Sequence, residues 1–411
     1  MVKMTALERF MEYVGFDTMS RSDIDSYPST QGQRELLDHL REQLREMGVA
    51  DVRQDRHFGY VYATIPANDL TKPLPAIGFI AHVDTSEAMS GRGVKPRVID
   101  DFDGEDIVLN AALGIVTRME DFPQMRELKG KRLVVTDGTT LLGADDKAGV
   151  TEIMEMAQYF CTHPNEKHGT ICIAFTAEEE TGRGVDYFDV AGFGAHYAYT
   201  VDGGELGDIS GETFNAAGAK LRAQGRSVHP GDAYGVMINA LQVLTDFHAL
   251  LPEKERPEHT RGHEGFYHLT QLQGNVETAA AEYIIRDHDD AKFEEKKALF
   301  QKAVEQINAK YGEGTLTADV EDQYYNMRGR LAAHPEVMQK AITAMKKTAV
   351  VPREEPIRGG TDGARLTFMG LPCPNLCTGG GNFHGKHEYL CVDEMEATIE
   401  ILKQLVREWA E

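Results

Sequence analysis

The feature that most limits how this chain can fold is an alternation of strand-like and helical stretches that is broken once, in the middle. Met4 to Val14 and Gln31 to Met47 carry apolar residues at helical spacing and stop at Gly15 and Gly48. Short apolar runs bounded by turn residues follow at Ala76–Ala81, Arg132–Thr136, Thr170–Phe175 and Tyr197–Val201, and Lys147–Phe160 reads as a helix among them. Strands alternating with helices specify an α/β domain with a mostly parallel sheet covered on both faces. From Phe214 to Tyr324 the order changes: strand Phe214–Ala223, helix Gly235–Leu250, strands Phe266–Gln273 and Glu277–Arg286, helix Asp290–Lys310, strand Thr315–Glu321. That βαββαβ order is the ferredoxin-like split unit. Helices then follow at Pro335–Val350 and Glu394–Glu411. The expected organisation is one α/β domain in two segments, 1–213 and 325–411, interrupted by a ferredoxin-like α+β domain over 214–324.

Charge narrows the partners. With 43 basic against 66 acidic residues, the net charge of −23 repels nucleic acid and anionic membranes, so neither is an expected partner. Glu8, Arg9, Glu12 and Asp17 interrupt any apolar run in Met1–Ser20, so no secretory signal or membrane anchor is expected there. Five cysteines, odd in number and sparse, and the absence of any Asn-x-Ser/Thr acceptor point to the cytoplasm. Cys373 and Cys377 lack a second Cys/His pair and read as buried thiols.

In sheets of this kind, function collects at the carboxyl ends of strands, and five segments place reactive side chains there. Ile77-Gly-Phe-Ile-Ala-His82-Val-Asp84 ends a strand in two residues that share a face, an imidazole beside a carboxylate. Taken alone, such a pair is commonly a hydrogen-bonded surface feature. Leu141-Leu-Gly-Ala-Asp145-Asp146-Lys147 holds adjacent carboxylates, which repel unless a cation is near. An acidic helix N-terminus would show the same residues. Ile171-Cys-Ile-Ala-Phe-Thr-Ala-Glu178-Glu179-Glu180 runs a strand into three glutamates, Val201-Asp202-Gly-Gly ends another in aspartate, and Gly379-Gly-Gly-Asn382-Phe-His384-Gly-Lys-His387-Glu388 lies near the C-terminus. Together they bring two histidines and several carboxylates to loops that all follow candidate strands on one sheet edge, a donor set suited to a pair of zinc ions.

These motifs resemble those of the aminoacylase/carboxypeptidase family of dizinc peptidases, and within it the branch that trims tripeptides from the amino end. The likeness runs nearly end to end and includes Ser227-Val-His229-Pro-Gly, Tyr283-Ile-Ile-Arg286-Asp, Tyr324-Tyr-Asn-Met-Arg328 and Pro356-Ile-Arg358-Gly-Gly-Thr-Asp362. One departure is Ala177-Glu178, where the family pattern is Pro-Asp. The resemblance implies a zinc-exopeptidase sheet with the insert as a lid, hinged near Phe214 and Tyr324, and two zinc ions per subunit. His82 and Asp202 would hold one ion, Glu180 and His384 the other, with Asp145 as the bridge and a cis peptide between Asp145 and Asp146. Asp84 would orient His82, Glu179 would be the general base, and Glu178 would stand outside the ligand shell or at the surface. His229 would stabilise the oxyanion, Arg286 and Arg358 would take the substrate carboxylate, and Asn382 would contact substrate. Short peptides are then the substrate, and a homodimer is consistent with the likeness.

Two other readings share the motifs. One is a different dizinc hydrolase of the family, a carboxypeptidase, dipeptidase or N-acyl amino acid deacylase. The other is a non-catalytic metal- or peptide-binding protein on the same scaffold. His259 and His263, four residues apart, lie in a Pro/Glu/Gly-rich stretch and read as solvated loop histidines.

Overall fold

The structure, a computed structural model, describes residues 4–411. The chain divides into two compact units: Met1–Gly211 with Arg330–Glu355 and Thr361–Glu411, and Glu212–Gly329 with Pro356–Gly360.

The first unit is built on a mixed eight-stranded sheet. Its strand order is Asp51–Gln54, Val61–Ile65, Ile171–Thr176, Ile77–His82, Tyr197–Val201, Asn375–Leu376, Asp208–Ser210 and Arg353–Glu354. The central strands Ile171–Thr176, Ile77–His82 and Tyr197–Val201 run parallel. Every residue of the first two is buried, which is why they read as unbroken apolar runs. Helices Gln31–Glu46, Ala144–Thr162 and Val392–Ala410 contribute Leu36, Leu40, Ile153, Met156, Leu402 and Leu405 to the same core. Gly149 lets the helix Ala144–Thr162 lie against the strand Tyr197–Val201, since a Cβ there would come within 1.7 Å of the Val201 carbonyl oxygen.

The strand predicted at Arg132–Thr136 exists as Leu133–Val135, but it is not part of this sheet. It belongs to a separate antiparallel sheet ordered Gly380–Gly381, Tyr389–Cys391, Leu133–Val135, Arg97–Ile99. The loops carrying Asp145 and His384 therefore follow strands of this smaller sheet, and the expectation that every site loop leaves one sheet edge is corrected. Its own core of Phe102, Met119, Met125, Leu133, Val135 and Tyr389 explains how a second sheet can stand there. Cys373 and Cys377 are buried free thiols.

The second unit has strands Asn215–Gln224, Phe266–Gly274, Thr278–Asp287 and Leu316–Tyr324 with helices Ala240–Leu250 and Asp290–Tyr311. The antiparallel order, with Asn215–Gln224 and Thr278–Asp287 in the centre, is ferredoxin-like. Alternate residues Ala217, Ala219, Leu221 and Ala279, Ala281, Tyr283 face the helix residues Val243, Phe247, Phe300 and Val304. The first helix starts five residues later than its apolar pattern suggests, because Arg226 and Ile238 pair across a turn and Asn239 caps the helix by accepting from Leu241 N–H. Residues 212–213, 325–329 and 356–360 also belong to this unit rather than to the flanking segments. Thr213 bridges to Ile357, and Phe214 N–H donates to the Gly359 carbonyl.

Candidate metal centre

His82 closes the strand Ile77–His82. Its Nδ1 lies 3.0 Å from the Asp84 carbonyl and 3.4 Å from the Asp84 carboxylate, so the Nδ1 proton is committed there and Nε2 is left to face the cluster. That Nε2 faces Asp145 at 3.0 Å, Asp202 at 3.5 Å and Glu179 at 4.0 Å. His384 Nε2 lies 3.0 Å from the other oxygen of Asp145 and 3.0 Å from Glu180 Oε2. Asp145 thus turns one oxygen to each imidazole. The donors fall into two sets, His82–Asp145–Asp202 and Asp145–Glu180–His384, each with its ligand atoms within 4.8 Å of one another.

The electrostatics ask for cations. Burial pushes the Asp202 carboxyl up to about 6 and the Glu180 carboxyl up to about 7, with the negative charge of Asp145 adding to both. Burial also raises Glu179 well above the carboxylate range. Desolvation acts on Asp145 in the same sense, yet the hydrogen bonds of His384 and His82 hold it below the usual range. Burial disfavours protonated His82, but the surrounding carboxylates, Asp202 foremost, raise it well above 6.5. Glu180 Oε1 is buried without a hydrogen-bond partner among the described residues, which a bare carboxylate oxygen does not tolerate cheaply. Histidine nitrogens aimed at carboxylate oxygens, one shared carboxylate and one orphaned oxygen fit a pair of divalent ions.

Three carboxylates accept from backbone amides that position the cluster. Asp84 accepts from Glu179 N–H at 3.0 Å and Glu180 N–H at 3.1 Å, so it braces the glutamate turn as well as the imidazole. Glu388 is buried and accepts from Leu142, Gly143 and Asp145 N–H at 2.6, 2.9 and 3.2 Å, fixing the loop that presents Asp145. Asp146 accepts from His82 N–H and Gly149 N–H, both at 3.2 Å, and the Asp145–Asp146 peptide is cis. Asp362, buried and held by Thr176 Oγ1 at 3.0 Å, adds a further carboxyl that burial pushes up to about 7. Glu388 and Asp362 have no predicted role from sequence and Asp146 only its place in the cis peptide; nearness to ligand motifs is their one signal there. Glu178 is fully buried, which rules out the surface option for it.

Of four non-glycine residues with positive φ among those described, Glu178, Asn382 and His384 belong to the segments that form or flank the site. Backbone strain of this kind collects at functional sites. Asn382 donates to the His387 carbonyl at 3.2 Å and accepts from Gln124 at 3.1 Å, so its amide is engaged in holding the His384 loop.

Within the second unit, His229 is largely exposed, and its Nδ1 accepts from Gly231 N–H at 3.1 Å. With Nδ1 accepting, Nε2 is the ring nitrogen left to donate. Arg286 donates to the carbonyls of Ala217 and Ile285 and to Gln323, with its guanidinium over the Tyr324 ring. Arg358 donates to the carbonyls of Gly262 and Glu264 and to Thr260 Oγ1. It also covers the rings of Phe214 and Phe266. Both arginines are thus anchored in the unit's own frame. His263, read as a solvated loop residue, is exposed but pairs with Glu212 at 3.2 Å.

This architecture recurs in solved structures. Aminopeptidase PepT from Bacillus cereus superposes over 99% of this chain and 98% of its own, with TM-score 0.77 and 24% identity. A tripeptidase from Staphylococcus aureus covers 98% of each chain with TM-score 0.79 and 19% identity. A dinuclear metal-binding peptidase of the M20 family from Bacillus subtilis covers 98% and 96% with TM-score 0.65 and 13% identity. The fold is that of the M20 peptidases, and residues 211–314 match the family model described as the peptidase dimerisation domain. Peptidase T of Clostridium novyi (strain NT) is 50% identical over 400 residues, 97% of this chain and 98% of its own. Peptidase T of Clostridium acetobutylicum is 51% identical over 405 residues, 98% and 99% of the two chains. The chain belongs to the peptidase T family, and it is a peptidase.

Proposed function

We propose that this peptidase is a cytoplasmic dizinc aminopeptidase that hydrolyses the first peptide bond of tripeptides, releasing a free amino acid and a dipeptide. The observation that carries the reading is Asp145, with one oxygen 3.0 Å from each of two imidazoles that belong to separate donor sets. His82 and Asp202 would hold one ion and Glu180 and His384 the other, with Asp145 available to both. When bound, such a pair supplies Lewis acidity, polarising the scissile carbonyl and making water acidic enough to act near neutral pH. Glu179 is the general base: its Oε2 lies 4.0 Å from His82 Nε2. It takes the proton of the attacking water and returns it to the leaving amine. Asp84 fixes the His82 tautomer, so that Nε2 remains a ligand.

His229 donates from Nε2 to the oxyanion that develops at the carbonyl. Arg286 and Arg358 take the far carboxylate of the peptide, whose planar geometry a guanidinium matches. Asn382 lines the substrate end of the His384 loop. The match to a peptidase dimerisation domain supports a homodimer. No described helix is long and apolar enough to cross a membrane, in keeping with a cytoplasmic enzyme of peptide catabolism.

The test is release of methionine from Met-Gly-Gly by the zinc-loaded chain, beside Met-Gly, Met-Gly-Gly-Gly and N-acetyl-methionine. Cleavage confined to the tripeptide is expected. Glu179→Gln should lower kcat by roughly 10²–10⁴-fold with zinc still bound. Preference for the dipeptide or the acylated amino acid would assign the chain to another hydrolase of the family.

A further inference from the structure

The first glutamate of the Glu178-Glu179-Glu180 run binds the N-terminal segment rather than the metal-ligand cluster. Glu178 follows the strand Ile171–Thr176 by two residues, is 0% exposed, and adopts φ +69°, a region that favours glycine. Its Oε1 accepts from Ser29 N–H at 2.6 Å, Ser29 Oγ at 2.5 Å and Gln33 Nε2 at 2.7 Å, and its Oε2 from Thr181 Oγ1 at 3.1 Å. Ser29 Oγ in turn accepts from Arg21 N–H at 2.8 Å, and Gln33 is itself fully buried. The residue before it is pinned from the same N-terminal segment, with Tyr27 Oη donating to the Ala177 carbonyl at 2.7 Å. On the other side the amides of Glu179 and Glu180 are taken by the two oxygens of Asp84. Arg183 N–H closes the turn onto the Glu178 carbonyl at 2.9 Å.

A glycine would adopt this backbone without strain, whereas a glutamate is held in it by what its carboxylate binds. The left-handed step bends the chain so that consecutive side chains leave toward different partners. Glu179 goes to the His82 side, and Glu180 goes to His384. We propose that Glu178 is the positioning residue of the catalytic turn: its buried carboxylate, clamped by Ser29, Gln33 and Thr181, fixes where Glu179 and Glu180 stand. The proposal rests on the assignment of Glu179 as base and Glu180 as ligand. It also gives the Ala177-Glu178 departure a physical content. A longer acid side chain reaches Ser29 and Gln33 here, whereas Pro-Asp would set the same turn with a rigid residue and a shorter one.

The experiment compares Glu178→Gly, Glu178→Asp and Ala177→Pro/Glu178→Asp with the parent full-length chain. Zinc affinity is measured by competition with a chromophoric chelator, and kcat and KM on Met-Gly-Gly are normalised to bound zinc. Glu178→Gly removes both the strain and the clamp. It is expected to weaken zinc binding and lower kcat by about 10–100-fold each, with KM within about twofold and the acidic limb of the kcat–pH profile displaced. The double variant is expected to restore both. Glu178→Gly with zinc affinity and zinc-normalised kcat within twofold of the parent would overturn the proposal. So would a loss that Ala177→Pro/Glu178→Asp leaves unrescued. Should the parent leave Met-Gly-Gly uncut, the chelator competition alone decides the positioning role, and only the substrate reading falls.

Discussion

Without ions, the carboxylates of the centre retain protons that an unfolded chain would release. Asp202 is pushed up to about 6 from 3.8 and Glu180 up to about 7 from 4.5, both by burial first. The folded metal-free protein therefore binds more protons than the unfolded chain between about pH 4 and 7. Stability that is present below that window is lost as pH rises through it. His384, pushed up to about 11 by its bonds to Asp145 and Glu180, loses its contribution in the same direction at higher pH. Divalent ions take the place of those protons. The gap in melting temperature between zinc-loaded and EDTA-stripped protein should widen from pH 5 to pH 8, measured by scanning fluorimetry; a constant or shrinking gap would contradict the assignment. At this scale His82, Glu180 and Asp202 were legible because they stand at or shortly beyond the ends of buried apolar strands. Glu388 and Glu178 were not, because they act on amides whose directions are set only once the chain is folded.

Among the elements, the loop between Leu133–Val135 and the helix Ala144–Thr162 depends most on one side chain. Glu388 takes two of its amides and that of Asp145 in the helix's first turn, and each buried amide left unpaired costs about 1–3 kcal/mol. Glu388→Ala should therefore lower the melting temperature and weaken zinc binding by at least roughly 10-fold, with Glu388→Gln between the variant and the parent. Calorimetric zinc titration reads the second effect, and unchanged affinity would remove Glu388 from the loop's support. The ferredoxin-like unit was legible almost residue by residue, since alternation of buried and exposed positions along Asn215–Gln224 and Thr278–Asp287 marks a half-covered sheet. The smaller sheet was not, because strands of two or three residues leave too short a period to read. The late start of Ala240–Leu250 was hidden for a related reason: Val236 and Met237 continue the apolar spacing but lie in the turn closed by Arg226 and Ile238.

At the scale of the whole molecule, the sequence order βαββαβ inside an α/β frame is enough to place an insert, yet the short return Pro356–Gly360 into the second unit has no sequence signal of its own. The homology of residues 211–314 to a dimerisation domain leads to a definite expectation in solution: sedimentation equilibrium should give twice the 45.6 kDa chain mass at micromolar concentration. A single-chain mass there would withdraw the dimer. Two ions sharing Asp145 are the core of the proposed site, and the most direct test is calorimetric zinc titration of the stripped chain with methionine release from Met-Gly-Gly followed in the same samples. Two ions per chain, with activity reaching its plateau only as the second site fills, is the predicted result. Full activity at one ion per chain, or saturation at one, would contradict it.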